Sequence, residues 1–270
     1  MSGPAGGRCR RRPQKFSRTV DASDNLSLPW RLRSFYLRLF PPLPALKAHL
    51  PPHPTRLYFI RHGEVDSRYR RIFTGSRIDT ELSPLGHEHG NAVADWFGNF
   101  ALDAVYVSPM RRVLQTAAPL LQRQKVEPVV LHDLREVDFG DWTGFRWEEI
   151  QDRFGIHAFD WLETLEKAAI PNGESAEHLL ARVRPCVQRM LDENPHRNAA
   201  IFCHGGIIRV MLALLLEVPL AHTAHYNIDY GSVTMVERQP EKKHAVEIEL
   251  LNFCPMTDRH GVRTVPAERL

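Results

Sequence analysis

Three short apolar runs in this chain each end in reactive or cationic side chains, and that pattern restricts the fold more than any bulk property. Leu57-Tyr58-Phe59-Ile60 leads into Arg61-His62-Gly63-Glu64, Ala199 to Cys203 into His204-Gly205-Gly206, and Ala104 to Val107 into Ser108-Pro109-Met110-Arg111-Arg112. Short apolar runs bounded by turn signals read as strands buried on both faces. In open α/β sheets, ligand sites form outside the carboxyl ends of the strands, so segments far apart in sequence can share one crevice. A histidine beside an arginine at such a strand end points to phosphate chemistry.

Between the runs the pattern turns helical. Ser83-Pro84 has the chemistry of a helix start, and Ala92, Val93, Trp96, Phe97 and Phe100 follow at helical spacing. Ser108-Pro109 repeats the signal and predicts a second start there, with Arg112 in the first turn and Thr116 one turn on, where side-chain donors and free backbone N–H groups can meet an anion. Leu179, Leu180, Val183, Val187, Met190 and Leu191 mark an amphipathic helix that Pro185 should kink. Ile207 to Leu216 is about ten residues long and contains Arg209, whereas spanning a bilayer takes roughly 20 apolar residues, so it reads as a buried helix and no transmembrane segment is expected. Ser232 to Glu237 and Val246 to Phe253 read as closing strands. The alternation predicts an α/β fold, a three-layer sandwich with a mostly parallel central sheet flanked by helices.

The 43% hydrophobic and 25% charged composition is that of a soluble globular protein with a sizeable core. The net charge of +3 hides an asymmetry: residues 1–55 carry ten Lys/Arg against two acids, leaving 25 basic and 30 acidic residues in the rest. The globular part is thus mildly acidic, which argues against nucleic acid as its partner, and any affinity for phosphate must be local. Cys9, Cys186, Cys203 and Cys254 form no CxxC pair and fit neither a disulfide framework nor a zinc site, so reduced thiols in the cytoplasm are expected. His87 with His89, and His222 with His225, have spacings compatible with metal ligands but come without a matching Asp, Glu or Cys set.

Residues 1–54 read as a basic, proline-rich extension, residues 55–255 as the domain and residues 256–270 as a flexible tail. Six basic residues and no acidic one lie between Arg8 and Arg18, and prolines recur from Pro41 to Pro54. Such a composition cannot pack a core of its own. No apolar stretch of the length a secretory signal needs follows the arginines. An organelle transit peptide, a dispensable extension and a start site placed too far upstream stay open.

Five segments together resemble one family. Arg61-His62-Gly63-Glu64, Ser108-Pro109-Met110-Arg111-Arg112 with Gln115-Thr116-Ala117, Leu134 to Gly144, Asn172-Gly173-Glu174-Ser175, and His204-Gly205-Gly206 occur in the order of the histidine phosphatase (phosphoglycerate-mutase-like) superfamily, over about residues 56–253. The resemblance implies that His62 is the nucleophile that becomes phosphohistidine, that Arg61, Arg112 and His204 surround the phosphoryl group, and that Glu136 is the proton donor and acceptor. Glu136 would then need a carboxyl whose pKa is raised by burial or by the phosphate. Arg112 is preferred to Arg111 because the family's arginine stands fourth after the serine that starts the motif. Thr74, Gly75 and Gly205 are expected to border the phosphate. Neither a metal nor a cofactor is implied. Many members carry asparagine seven residues after the motif arginine, where this chain has Arg68, which either supplies a further cationic contact or faces solvent.

The segment around Glu136 reads Leu134-Arg135-Glu136-Val137-Asp138-Phe139-Gly140, and is more similar to phosphatase members, including α-ribazole phosphatases and broad-specificity enzymes, than to the mutases. Only 68 positions separate Glu136 from His204, whereas mutases usually insert a longer capping segment. The expected activity is therefore hydrolysis of a small phosphomonoester, with a mutase or a non-catalytic phospholigand-binding protein as alternatives. The stretch from Trp142 to Asn172, with Trp147, Phe154, Phe159 and Trp161, is expected to cover the pocket and select the leaving group. Oligomeric state is open.

Overall fold

The computed structural model describes residues 53–239, 241 and 246–256. The expectations for 1–54 and 256–270 fall almost wholly outside these residues. Strand β1 (Thr55–Arg61) is followed by helix α1 (Pro84–Phe97), β2 (Ala104–Val107), α2 (Arg111–Gln124) and the short β3 (Val129–Val130). Then come α3 (Trp147–Phe154), α4 (Trp161–Glu166), α5 (Ala176–Glu193), β4 (Asn198–Cys203), α6 (Gly205–Leu216), β5 (Val233–Arg238) and β6 (Val246–Phe253).

The strands form one sheet in the order β3-β2-β4-β1-β5-β6. The β3/β2, β2/β4 and β4/β1 pairs are parallel, and β5 is antiparallel to both β1 and β6. Five of the six strands therefore point the same way, as a mostly parallel sheet requires.

Alternation along the strands builds the layers. Leu57 and Phe59 of β1, with Ala199, Ile201 and Cys203 of β4, face a core shared with Leu179, Val183 and Val187 of α5 and Ile207, Val210 and Met211 of α6. Tyr58 and Ile60, with Ala200 and Phe202, face the other side against Val93 and Phe97 of α1 and Val113, Ala117 and Leu120 of α2. Helices thus cover both faces, giving the three-layer sandwich.

Helix α1 starts as its sequence signal predicts: Ser83 Oγ accepts the Gly86 N–H at 3.0 Å and Pro84 follows it. It stops at Phe97, because Gly98 takes the left-handed φ of +51°, so Phe100 lies beyond the helix. The expected start at Ser108 is corrected. The N-cap of α2 is Met110, and Ser108 Oγ lies 2.9 Å from His204 Nε2. Arg112 nevertheless falls in the first turn. Helix α5 runs unbroken from Ala176 to Glu193 through Pro185.

Among the described residues no helix is long and apolar enough to cross a membrane. The Ile207 to Leu216 run lies in α6 and is largely buried.

Candidate active site

The sheet order places the site. Arg61 at the end of β1 is opposite Cys203 at the end of β4, and Val107 at the end of β2 is opposite Phe202. The next residue of each strand is His62, His204 and Ser108, so three adjacent carboxyl ends deliver all three side chains to one crevice. Backbone bonds extend the ladder there, from His62 N to Cys203 O at 3.0 Å and from Ser108 N to Phe202 O at 3.0 Å.

His62 is 5% exposed, and its Nδ1 lies 2.8 Å from Gly63 O. A carbonyl oxygen can only accept, so Nδ1 carries the proton and Nε2 keeps its lone pair. Arg112, 1% exposed, donates from Nε to that lone pair at 3.3 Å and from Nη2 to Gly75 O at 3.0 Å. His204 is fully buried, its ring centre 5.2 Å from that of His62. Burial, reinforced by the Arg112 and Arg61 charges, holds both imidazoles well below their usual 6.5. Both are neutral at physiological pH.

Arg61 lies over the Tyr230 ring at 3.9 Å and donates to Ile228 O at 2.6 Å. Arg61 Nε and His204 Nδ1 are buried and have no hydrogen-bond partner among the described residues. A third guanidinium, Arg209 on α6, donates to Gly205 O at 3.1 Å and Tyr226 O at 2.8 Å, and burial lowers its pKa to about 10. Buried cations and unpartnered polar atoms at one point are costly unless an anion joins them. The crevice is built for one.

Glu136 is half-buried, with Oε1 accepting the Val137 N–H at 3.0 Å and Oε2 lying 3.4 Å from Gly206 N at the start of α6. A Cβ on Gly206 would come within 2.5 Å of Glu136 Oε1, so a larger residue there would displace that carboxylate. Gly75 has φ +50° and a Cβ on it would meet Val137 O at 2.5 Å, so this turn seats tightly against the Glu136 segment. Gly205 lies buried beside Arg61, and Thr74 is half-buried in the Gly75 turn.

Arg61, His62, Arg112, Glu136, His204, Gly75 and Gly205 thus converge, and Arg68 does not join them. Its Nε binds Asp66 Oδ1 at 3.0 Å, and its side chain is 75% exposed. Arg70, Arg71, Arg77 and Arg111 pair with Glu64, Glu148, Asp138 and Glu81. His87, His222 and His225 are exposed, while His89 turns inward and accepts the Glu64 N–H at 3.3 Å. In the stretch after Trp142 only one aromatic is seen to reach the crevice wall: Trp161 would stand 3.3 Å from a Cβ on Gly206. Phe154 packs against Trp142 and Phe145, and Phe159, 67% exposed, against Trp147.

Sequence reasoning missed Tyr230, Ser108 as the partner of His204, and Arg182 behind Glu136. No motif marks Tyr230 or Arg182, and the motif that Ser108 starts gives no sign of its contact with His204. Thr116 was placed near the anion, and it does more: its Oγ1 accepts the Gly63 N–H at 2.9 Å and donates to Arg112 O at 2.7 Å.

Comparison with known proteins agrees with this geometry. The sequence model of the histidine phosphatase superfamily (branch 1) matches residues 57–250. A protein of Hydrogenobacter thermophilus provisionally named phosphoserine phosphatase 2 is 29% identical over 73% of this chain and 96% of its own length. The adenosylcobalamin/α-ribazole phosphatase of Escherichia coli is 23% identical over 67% of this chain and 89% of its own. The native structure of a mycobacterial glucosyl-3-phosphoglycerate phosphatase superposes with a TM-score of 0.65 at 28% identity, covering 73% of this chain and 98% of that one. With the matched region reaching every strand of the sheet and every residue of the crevice, the chain belongs to the histidine phosphatase superfamily, in its phosphatase branch.

Proposed function

We propose that the phosphomonoesterase chemistry of this branch runs here through a phosphohistidine on His62. The observation that carries it is the Nδ1 to Gly63 O bond of 2.8 Å, which leaves Nε2 unprotonated with its lone pair turned to Arg112, the group that would hold the incoming phosphoryl oxygens. Nε2 attacks phosphorus, the ester P–O bond breaks, and the departing oxygen takes a proton from Glu136. Arg61, Arg112 and His204 hold the charge spread over the three non-bridging oxygens, so catalysis comes mainly from position and electrostatics. Water then gives a proton back to the Glu136 carboxylate and attacks the phosphohistidine, releasing phosphate and restoring His62.

The substrate is a small phosphomonoester. The similar proteins are named for small phosphorylated metabolites, and the arginines of the 68–77 loop already carry carboxylates, which leaves phosphoryl recognition to Arg61 and Arg112. Trp161 faces the leaving group beside Glu136. The buried thiols of Cys186 and Cys203 support a reducing, cytosol-like compartment.

The test is phosphate release from p-nitrophenyl phosphate in excess EDTA, comparing the wild-type chain with His62→Ala. Turnover that persists in EDTA and falls by at least about 1,000-fold in the variant is expected, since the nucleophile acts as a unit with its neighbours. Turnover surviving the substitution would assign the nucleophile elsewhere.

A further inference from the structure

We propose that Arg182 and Glu174 form a positioning clamp for Glu136, an inference that rests on the acid–base role given to Glu136 above. A guanidinium has five N–H donors, and all five of Arg182 are used. Nε and Nη2 donate to Glu174 Oε1 and Oε2 at 2.6 and 3.0 Å. Nη1 donates to Asp133 O and, at 2.9 Å, to Arg135 O, while Nη2 also donates to Glu136 O at 3.2 Å.

The carbonyls of Arg135 and Glu136 belong to the two peptide planes that flank the Glu136 Cα. Each plane is rigid, so one planar fork that holds both also fixes the direction in which the Glu136 side chain leaves the backbone. Glu174 secures the segment on its far side, its N–H donating to Asp138 O at 2.8 Å and its Oε2 accepting from Asp138 N at 3.3 Å. The Arg182 and Glu174 side chains are only 17% and 12% exposed, so this pair keeps its geometry far better than a surface ion pair. Opposite the clamp, the Glu136 carboxylate meets the start of α6, its Oε2 lying 3.4 Å from Gly206 N. The carboxyl is therefore confined between the clamp and the start of α6. Arg182 makes no hydrogen bond to Arg61, His62, Arg112 or His204; its hydrogen bonds reach the crevice through the Glu136 segment, and its charge, which Arg182→Lys retains, also helps to lower the His204 pKa.

A lysine at 182 keeps the charge but cannot reproduce a planar five-donor fork. The test compares kcat/KM, which reports the first chemical step, for p-nitrophenyl phosphate and for β-glycerophosphate in wild type, Glu136→Gln, Arg182→Lys and Glu174→Gln. Nitrophenolate leaves without a proton, whereas an alkoxide needs one. Glu136→Gln should lose the alkyl ester by about 100-fold or more and the aryl ester far less. Arg182→Lys should show the same selectivity, with roughly tenfold loss on the alkyl ester. Equal losses on both esters in Arg182→Lys and Glu174→Gln, with Glu136→Gln selective, would reduce the pair to a structural tie and overturn the clamp. A non-selective Glu136→Gln would instead overturn the acid–base assignment. If Arg182→Lys does not fold, Glu174→Gln, which keeps the guanidinium and loosens its anchor, decides.

Discussion

His62 and His204 are buried between guanidinium groups, and this has a thermodynamic consequence. Both imidazoles are held neutral well below 6.5, so the native chain binds fewer protons than the unfolded chain as pH falls. Above about pH 6.5 neither group makes stability depend on pH. Below it, each lowers stability by up to about 1.4 kcal/mol per pH unit until its folded-state pKa is reached. Thermal unfolding should show Tm falling between about pH 6.5 and 5, and His204→Gln should flatten part of that fall. An unchanged slope in His204→Gln would mean that the ring is protonated in the folded chain. The same depression keeps the Nε2 lone pair of His62 available in mild acid. His62 was legible in sequence because a motif names it, whereas Tyr230 was not, since its contact with Arg61 depends on a loop 169 positions away.

At the scale of elements, the site depends on how α2 is tied to the end of β1. Helix α2 begins at Arg111 rather than at Ser108, because Ser108 remains at the strand end and its hydroxyl goes to His204. One helical turn after Arg112, Thr116 joins helix to loop through its single hydroxyl, which accepts from Gly63 N and donates to Arg112 O. Gly63 O in turn holds the His62 ring. Thr116→Val keeps the shape and leaves the Gly63 N–H buried without a partner, which should cost about 1–3 kcal/mol. Urea unfolding should show this as a lower midpoint at unchanged slope, together with reduced turnover from a loosened Gly63. A variant as stable as wild type would show that Gly63 N–H finds another acceptor. The periodicity of α2 was readable, but its first residue was not: Ser108 stays with the strand end beside His204, and no local signal shows that Met110 rather than Ser108 precedes the first turn.

Over the whole molecule, β1 is a central strand that begins at Thr55, whose hydroxyl donates to Asn194 O and accepts from His196 N, both at 3.0 Å. Removal of residues 1–54 should leave phosphatase turnover unchanged, while extending the cut through Thr55 should lower Tm, as measured on the two truncated chains. A loss of turnover on removing 1–54 would move the domain boundary upstream. The sequence by itself indicated five of the six strands, the main flanking helices and the layered class, because hydrophobic period is a property of neighbouring residues, and the five groups of the crevice were named by their resemblance to a family's motifs. Only the tertiary structure decided the strand order that brings His62 and His204 side by side, the pairing of Arg68 with Asp66 away from the crevice, and the Arg182 fork behind Glu136. Those are contacts between residues distant along the chain, and they exist only once the sheet has set which strand ends are adjacent.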